Sequence, residues 1–245
     1  MRFVFRAGYP FLFCLTLLSS FSFANETLRI PKGRYRGQIA DLSFGQNIEI
    51  LQEGSRYLIE NFFHSGRYWR ASIPQTPSKV YVLVVDTDSK YKHVGMAFEF
   101  PSRVILEDAL SKKSLELMVM DGVAIGPVGF EWDDFDAVVG NYLFHKRSIS
   151  MESFLNEAGA KQVCLHELQS SASSRAEILR SALWSSHSNP KDNMFQLMSN
   201  NCGQELSRVL GIREPSFFEV PKYSEDPVKW LQSKVAFVAA GPSCL

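Results

Sequence analysis

Val80-Tyr81-Val82-Leu83-Val84-Val85, then Asp86-Thr87-Asp88-Ser89-Lys90, then His93-Val94-Gly95-Met96-Ala97-Phe98-Glu99-Phe100 is the stretch on which the fold turns. Its first six residues form an unbroken β-branched and apolar run, the pattern of a buried strand. Of the next five, the Asp, Thr and Ser side chains bond their own backbone in turns, and the chain then resumes as a second strand, so the whole predicts a β-hairpin. Downstream, Leu115 to Met120, Ala137 to Phe144 and Gln162 to Leu168 repeat the strand pattern. Helix signals follow. Ser150 can cap Met151 to Ala158 ahead of Gly159, Ser174 with Glu177 makes a capping box for a helix to about Ser185, and a last helix runs from about Cys202 to Leu210 and stops at Gly211. Strands followed by helices without strict alternation predict an α+β fold, an antiparallel sheet packed against helices.

Outward from this region the signals weaken. Residues 25–73 are broken into short pieces by Gly33, Gly37, Gly45 and Gly54 and read as an N-terminal extension packing on a main domain of residues 74–214. Beyond Pro215, residues 215–245 read as an irregular C-terminal tail. Residues 1–24 have the layout of a secretory signal: Arg2 and Arg6, an apolar stretch from Tyr9 to Leu18, then small residues with Ser22 and Ala24 placed for cleavage before Asn25. A permanent span needs about 18 or more apolar residues, which no segment reaches. Phe11-Leu12-Phe13 before Cys14 lacks the small residues of a lipid-attachment site. The expected product is a soluble protein, monomeric, in the periplasm or cell envelope.

Composition narrows the function. Losing Arg2 and Arg6 tips 26 basic and 26 acidic residues to a net charge of about −2, with no Lys/Arg block, which argues against nucleic acid as a partner. A hydrophobic fraction of 45% argues against disorder. Without Cys14, three cysteines remain: Cys164, Cys202 and Cys244. Three pairings are open. Cys164 with Cys244 is favoured, because a bridge near the chain end ties down a tail that would fray, and Cys202 is then free. His166 stands two residues from Cys164 without a second close pair to complete a tetrahedral zinc site, and no glycine-rich phosphate loop opens a helix, so no metal or cofactor is expected.

The chemistry concentrates in Met198-Ser199-Asn200-Asn201-Cys202-Gly203-Gln204-Glu205-Leu206. Asn201 is a good N-cap with Gln204 three residues on, which puts Cys202 in the first helical turn. Unpaired N–H groups and the helix dipole stabilise an anion there, favouring the nucleophilic thiolate, while Gly203 leaves amides open for an oxyanion hole at Cys202 and Gly203. The competing reading is a structural cysteine below an ordinary helix start. Among five histidines, His93 at the start of a strand is the candidate base. His145 reads as a strand end beside a basic surface turn, and His64, His166 and His187 have no supporting context.

A strand histidine with a nearby glycine, followed about a hundred residues later by Asn201-Cys202 after Met194-Phe195-Gln196-Leu197, resembles the circularly permuted branch of the papain-like, NlpC-type thiol enzymes. Within it the closest likeness is to the periplasmic cysteine domain of the Lnb-type lipoprotein intramolecular transacylases, and lecithin–retinol acyltransferase shares the Asn-Cys segment. The likeness covers roughly Val80 to Gly211. It implies a permuted papain-like (NlpC-like) fold, His93 as base and Cys202 as nucleophile, and a lipid ester or lipoprotein acyl group as substrate, with peptidoglycan amide cleavage as the neighbouring option. Lys92 stands where the family often has Gly, and Gly203 where it often has Thr. For the third, orienting group Glu99 lies too far along the strand from His93, whereas Asp121, at the end of the next strand, is the better candidate.

Overall fold

The computed structural model describes residues 28–86, 92–108, 111–158, 162–188, 193–216, 218–237 and 241–245; residues 1–24, whose sequence reads as a secretory leader, residues 87–90 of the expected hairpin turn and Gly159 lie outside them. The strands are β1 (Glu49–Glu53), β2 (Arg56–His64), β3 (Arg67–Pro74), β4 (Lys79–Val85), β5 (His93–Glu107), β6 (Lys112–Ile125), β7 (Tyr142–Ser150), β8 (Val163–Glu167), β9 (Met194–Phe195) and β10 (Ser243–Cys244). The helices are α1 (Asp134–Val139), α2 (Met151–Ala158), α3 (Ala172–His187), α4 (Cys202–Val209), α5 (Val220–Glu225) and α6 (Pro227–Gln232).

The hairpin that opens the sequence argument is present as β4 and β5, with Val85 paired to His93 and Lys79 to Glu99. The layer arrangement built on it is not. The described residues are 42% strand against 26% helix, and five strands close into a barrel with extra strands attached, in place of the helix-packed α+β layout and the permuted papain-like fold. The ring runs β2, β3, β5, β6, β7, antiparallel at four junctions, and closes where β7 meets β2 in parallel at Phe62–Ser148 and Phe63–Ile149. The cause lies in strand length and bends. β5 is 15 residues long and its register shifts between Glu99 and Val104, around Pro101, so that its first half pairs with β4 and its last part with β3. A proline in a strand is tolerated at such a shift, where no ladder bond is asked of it. β2 bends in the same way between Ile59 and Phe62, where Asn61 adopts φ 64°, a left-handed conformation that asparagine accepts more readily than most residues. The segment read as an extension thus supplies β1, β2 and β3.

Two cores follow from this curvature. One gathers Ile59, Phe62, Trp69, Ala71, Val104 and Met118 with Leu179 and Leu183 of α3 and Leu206 of α4. The other packs Leu83, Val85, Ala97, Val119 and Ile149 against Met151 and Phe154 of α2. Residues 28–42 are held on the barrel by Tyr35, which stacks on Tyr142 and donates to Asp136, and by the Arg34 amide, which donates to Asn141.

Several boundaries depart from the sequence reading. Ala137 to Phe144 divides into the end of α1 and the start of β7, because the Asp133 side chain caps the Asp136 amide and Gly140 ends the helix at φ 78°. Ser171, not Ser174, caps α3. Beyond Pro215 the chain forms α5 and α6, each carrying a proline in its first turn, where its missing N–H costs nothing. Cys164 and Cys244 form a disulfide, directly opposite each other on β8 and β10.

Candidate active site

α4 begins at Cys202 because Asn201 halts the extended chain and caps it. The Asn201 side chain accepts from the amides of Gly203 at 2.9 Å and Gln204 at 3.1 Å, and the Gln204 side chain accepts from the Asn201 amide at 3.3 Å. Both halves of the capping box expected from the sequence are therefore made. The cap also alters the expected oxyanion site. With the Gly203 N–H taken by Asn201, the donor beside the sulfur is the Cys202 amide, first in the helix and without an intrahelical acceptor. Gly203 has a different reason to be glycine. A Cβ there would stand 1.8 Å from Cε1 of the buried Tyr223, so the ring of α5 lies directly on the helix start.

The Cys202 sulfur is free and half-buried. It stands 3.6 Å from His93 Nδ1, and its S–H donates to the Gly122 carbonyl at 3.2 Å. His93 is the first residue of β5, and the register of β5 on β6 pairs Met96 with Met120. One step further, Gly95 lies beside Asp121, where a Cβ would sit 3.8 Å from Asp121 Oδ1. This narrow neighbour lets His93, two residues back on the same face, reach diagonally across to the carboxylate, with His93 Nε2 to Asp121 Oδ1 at 2.6 Å. Phe154 of α2 stacks on the imidazole at 6.4 Å and fixes its plane. Sulfur, imidazole and carboxylate, contributed by α4, β5 and β6, thus stand in one line.

The line continues into a residue that sequence reasoning missed. Arg147 of β7, paired in register with Asp121, donates from Nη2 to Asp121 Oδ2 at 3.1 Å and to Glu157 Oε2 at 2.6 Å. By sequence the Leu143-Phe144-His145-Lys146-Arg147 stretch reads as a strand end beside a basic surface turn; in the structure β7 continues to Ser150 with His145 and Arg147 buried. The missed signal was the strand character of Ser148-Ile149-Ser150 beyond the charges. Asp121 and Arg147 side chains are 1% and 4% exposed, so each charge needs the other to be tolerated there.

The electrostatics follow from this chain of charges. Burial would hold His93 in its neutral form, but the Asp121 carboxylate and the Cys202 sulfur outweigh it and lift its pKa well above 6.5. Burial opposes ionisation of Asp121, and His93 and Arg147 together override that and keep its pKa below 3.8. His145 has neither nitrogen bonded, and burial depresses its pKa to about 4.

A cleft of about 270 Å3 opens over the sulfur. His93, Gly122, Arg147 and Cys202 form its floor, and Phe130, Trp132 and Phe195 form an apolar wall. Trp132 is held in place by stacking on Tyr142 at 5.2 Å and by edge contact with Phe195. Among the described residues no helix is long and apolar enough to cross a membrane. The chain matches no family model, no curated protein and no solved structure.

Proposed function

We propose that the protein is an exported thiol enzyme of acyl-transfer type, acting on a lipid ester or lipoprotein acyl group. The observation that carries this reading is the single line of Cys202 Sγ, His93 Nδ1 and Nε2, and Asp121 Oδ1, at 3.6 Å and 2.6 Å, beneath an open cleft. A thiol, a base in reach of it and a third group orienting that base are the parts of an activated nucleophile. The Cys202 proton passes to His93 Nδ1, the thiolate attacks the acyl carbonyl carbon, and the Cys202 amide donates to the developing oxyanion. The imidazolium returns its proton to the leaving oxygen or nitrogen, which leaves a thioester on Cys202. A water molecule or acceptor amine, deprotonated by His93, then attacks the thioester and releases the thiol. Asp121 holds the imidazole with Nδ1 toward the sulfur and stabilises its charged form.

The apolar wall of Phe130, Trp132 and Phe195 supports an acyl chain as the bound group. The likeness of the Asn201-Cys202 helix start to the Lnb-type transacylases points the same way, and that argument is one of local motif, since the closed barrel withdraws the fold from it. The Cys164–Cys244 bridge supports an oxidising compartment.

Wild type and Cys202→Ser incubated with a diacylated lipopeptide and, separately, with peptidoglycan fragments test the proposal. Acyl release or migration by wild type alone supports it. Cleaved stem peptides would reassign the enzyme to amide hydrolysis, and no turnover together with slow, His93-independent alkylation of Cys202 would leave a binding protein with an inert thiol.

A further inference from the structure

The Cys202 sulfur has a second side. Behind it, between the sheet and the helices that cover it, lies a small cavity of about 40 Å3. Val94 and Met96 of β5 and Met120 of β6 form one wall, and Ala182 of α3 with Leu206 and Val209 of α4 form the other. All six are buried. Cys202 and Gly122 alone line both this cavity and the open cleft, so the sulfur stands where the two meet. Gly122 keeps that junction clear, because a Cβ there would lie 3.6 Å from the sulfur and 2.6 Å from the ring of Phe144. The charged groups bordering the cavity are already matched. Asp121 is held by His93 and Arg147, and Lys146 by Glu205 at 2.8 Å and by the Ser185 hydroxyl. One water-sized sphere needs about 10–15 Å3, so the space takes about three carbon-sized atoms.

Building on the acyl-transfer reading, we infer that this inner cavity seats the first carbons of the acyl group carried on Cys202, and that its walls select aliphatic acyl groups against peptidyl ones. Two arguments place the acyl group there. The first is traffic. A thioester stays fixed at the junction while the leaving group departs and the acceptor arrives beside His93, and His93 lines the open cleft but not the cavity. The open side therefore serves the exchange, and the inner side is left for the group that remains. The second is polarity. Six apolar side chains suit methylene groups, whereas a peptidyl group would bring an amide N–H and C=O against charged side chains that already have partners, and an unmatched buried polar group is costly. Lys146 and Glu205, whose side chains are each 12% exposed, border the end nearest solvent. A longer chain leaves there, along the alkyl stem of Lys146. With a diacyl donor, the aromatic wall of the open cleft then faces the chain that stays on the leaving lipid.

The test uses the full chain, expressed and exported by cells, with p-nitrophenyl esters of acetyl, hexanoyl and N-acetylglycyl groups, the last two matched in length. In each reaction the bond from Sγ to the acyl carbon forms, the ester C–O bond breaks, and the thiol proton leaves with nitrophenol. Intact mass reads the thioester on Cys202, and rates are divided by those of the free thiol N-acetylcysteine with the same ester. Wild type is expected to favour hexanoyl over N-acetylglycyl by about tenfold or more, the scale set by burying an unmatched amide. Ala182→Leu, which fills the cavity, is expected to lower hexanoyl relative to acetyl by about tenfold; general damage would lower both alike. Should it not fold, Ala182→Val is expected to give a smaller shift of the same ratio. Trp132→Ala, on the wall of the open cleft, should leave that ratio within about twofold. Equal preference for the two matched esters in wild type overturns the inference, and so does a hexanoyl preference lost in Trp132→Ala but kept in a folded Ala182 variant, which would place the acyl group in the open cleft. Absence of a thioester with all three esters is a different failure: it removes the acyl-transfer reading itself, and the inference with it.

Discussion

Asp121 is placed between two cations that make different demands on its two oxygens. Oδ1 holds His93 and Oδ2 holds Arg147, so the carboxylate stays charged at a depth where an isolated one would take up a proton. Two pH dependences follow. His93 has a folded pKa above its ordinary value, so the stability contributed by its protonation is fully present below 6.5 and is lost as pH rises through the higher folded value. Asp121 behaves in the opposite sense: its contribution is present above 3.8 and is lost as pH falls through its lower folded value. In the proposed reaction the imidazolium protonates the leaving group, so acyl transfer should fall off on the alkaline side, as His93 loses its proton. Asp121→Asn removes the charge that raises that pKa. The expected result is a loss in kcat on the order of 10²- to 10⁴-fold and an alkaline limb moved to lower pH, read from the pH profile of acyl release. An unmoved limb would mean that Asp121 does not set the titration of His93.

At the scale of elements, the start of α4 is where cap, nucleophile and core meet. Gly203→Ala directs a methyl at the ring of Tyr223 from 1.8 Å, with α5 behind it. Overpacking of this kind costs about 1–3 kcal/mol, and since Cys202 is the adjoining residue, the alkylation rate of the thiol should drop together with the urea midpoint. Tyr223→Phe separates packing from polarity. The Tyr223 hydroxyl is buried without a partner, and removing such a group relieves a desolvation penalty of about 1–3 kcal/mol. This variant is therefore expected to be at least as stable as wild type, and a fall in its urea midpoint would show that the hydroxyl is engaged. The α4 start was legible because its signals are local: Asn201, Gln204 and the apolar residues after them act within one turn. The β4–β5 hairpin was legible for the same reason. The barrel was not, because closure depends on the bends at Asn61 and near Pro101 and on a parallel contact between Phe62–Phe63 and Ser148–Ile149, residues far apart in sequence whose pairing no local pattern announces. His93 and Cys202 were readable as residue types in suitable settings, and Asp121 as a neighbour on the next strand. Arg147 was hidden because a charged residue in a strand reads as exposed until its buried partner is known.

Over the whole molecule, the sheet extends from the barrel through β5 to β4, β8 and finally β10, a strand of two residues at an open edge. Nothing so short holds a chain end by backbone pairing alone, and the Cys164–Cys244 bridge adds a covalent tie across a sequence separation of 80. In the chain-entropy picture a loop of that size corresponds to about 4.5 kcal/mol of constraint on the unfolded state, and measured bridges more often give about 2–4 kcal/mol. The Cys164→Ser/Cys244→Ser double variant should therefore lose about 2–4 kcal/mol in urea unfolding. Its effect on the thiol should be small, since β4 lies between β8 and β5 in the sheet, its pairing with β5 running from Lys79–Glu99 to Val85–His93. Equal alkylation rates at Cys202 in the folded double variant and in wild type are the expected outcome. A stability loss below about 1 kcal/mol would place the hold on the tail in the Leu245–Val163 backbone pair instead. A slowed thiol at unchanged stability would mean that the bridge tunes the position of His93 through β4.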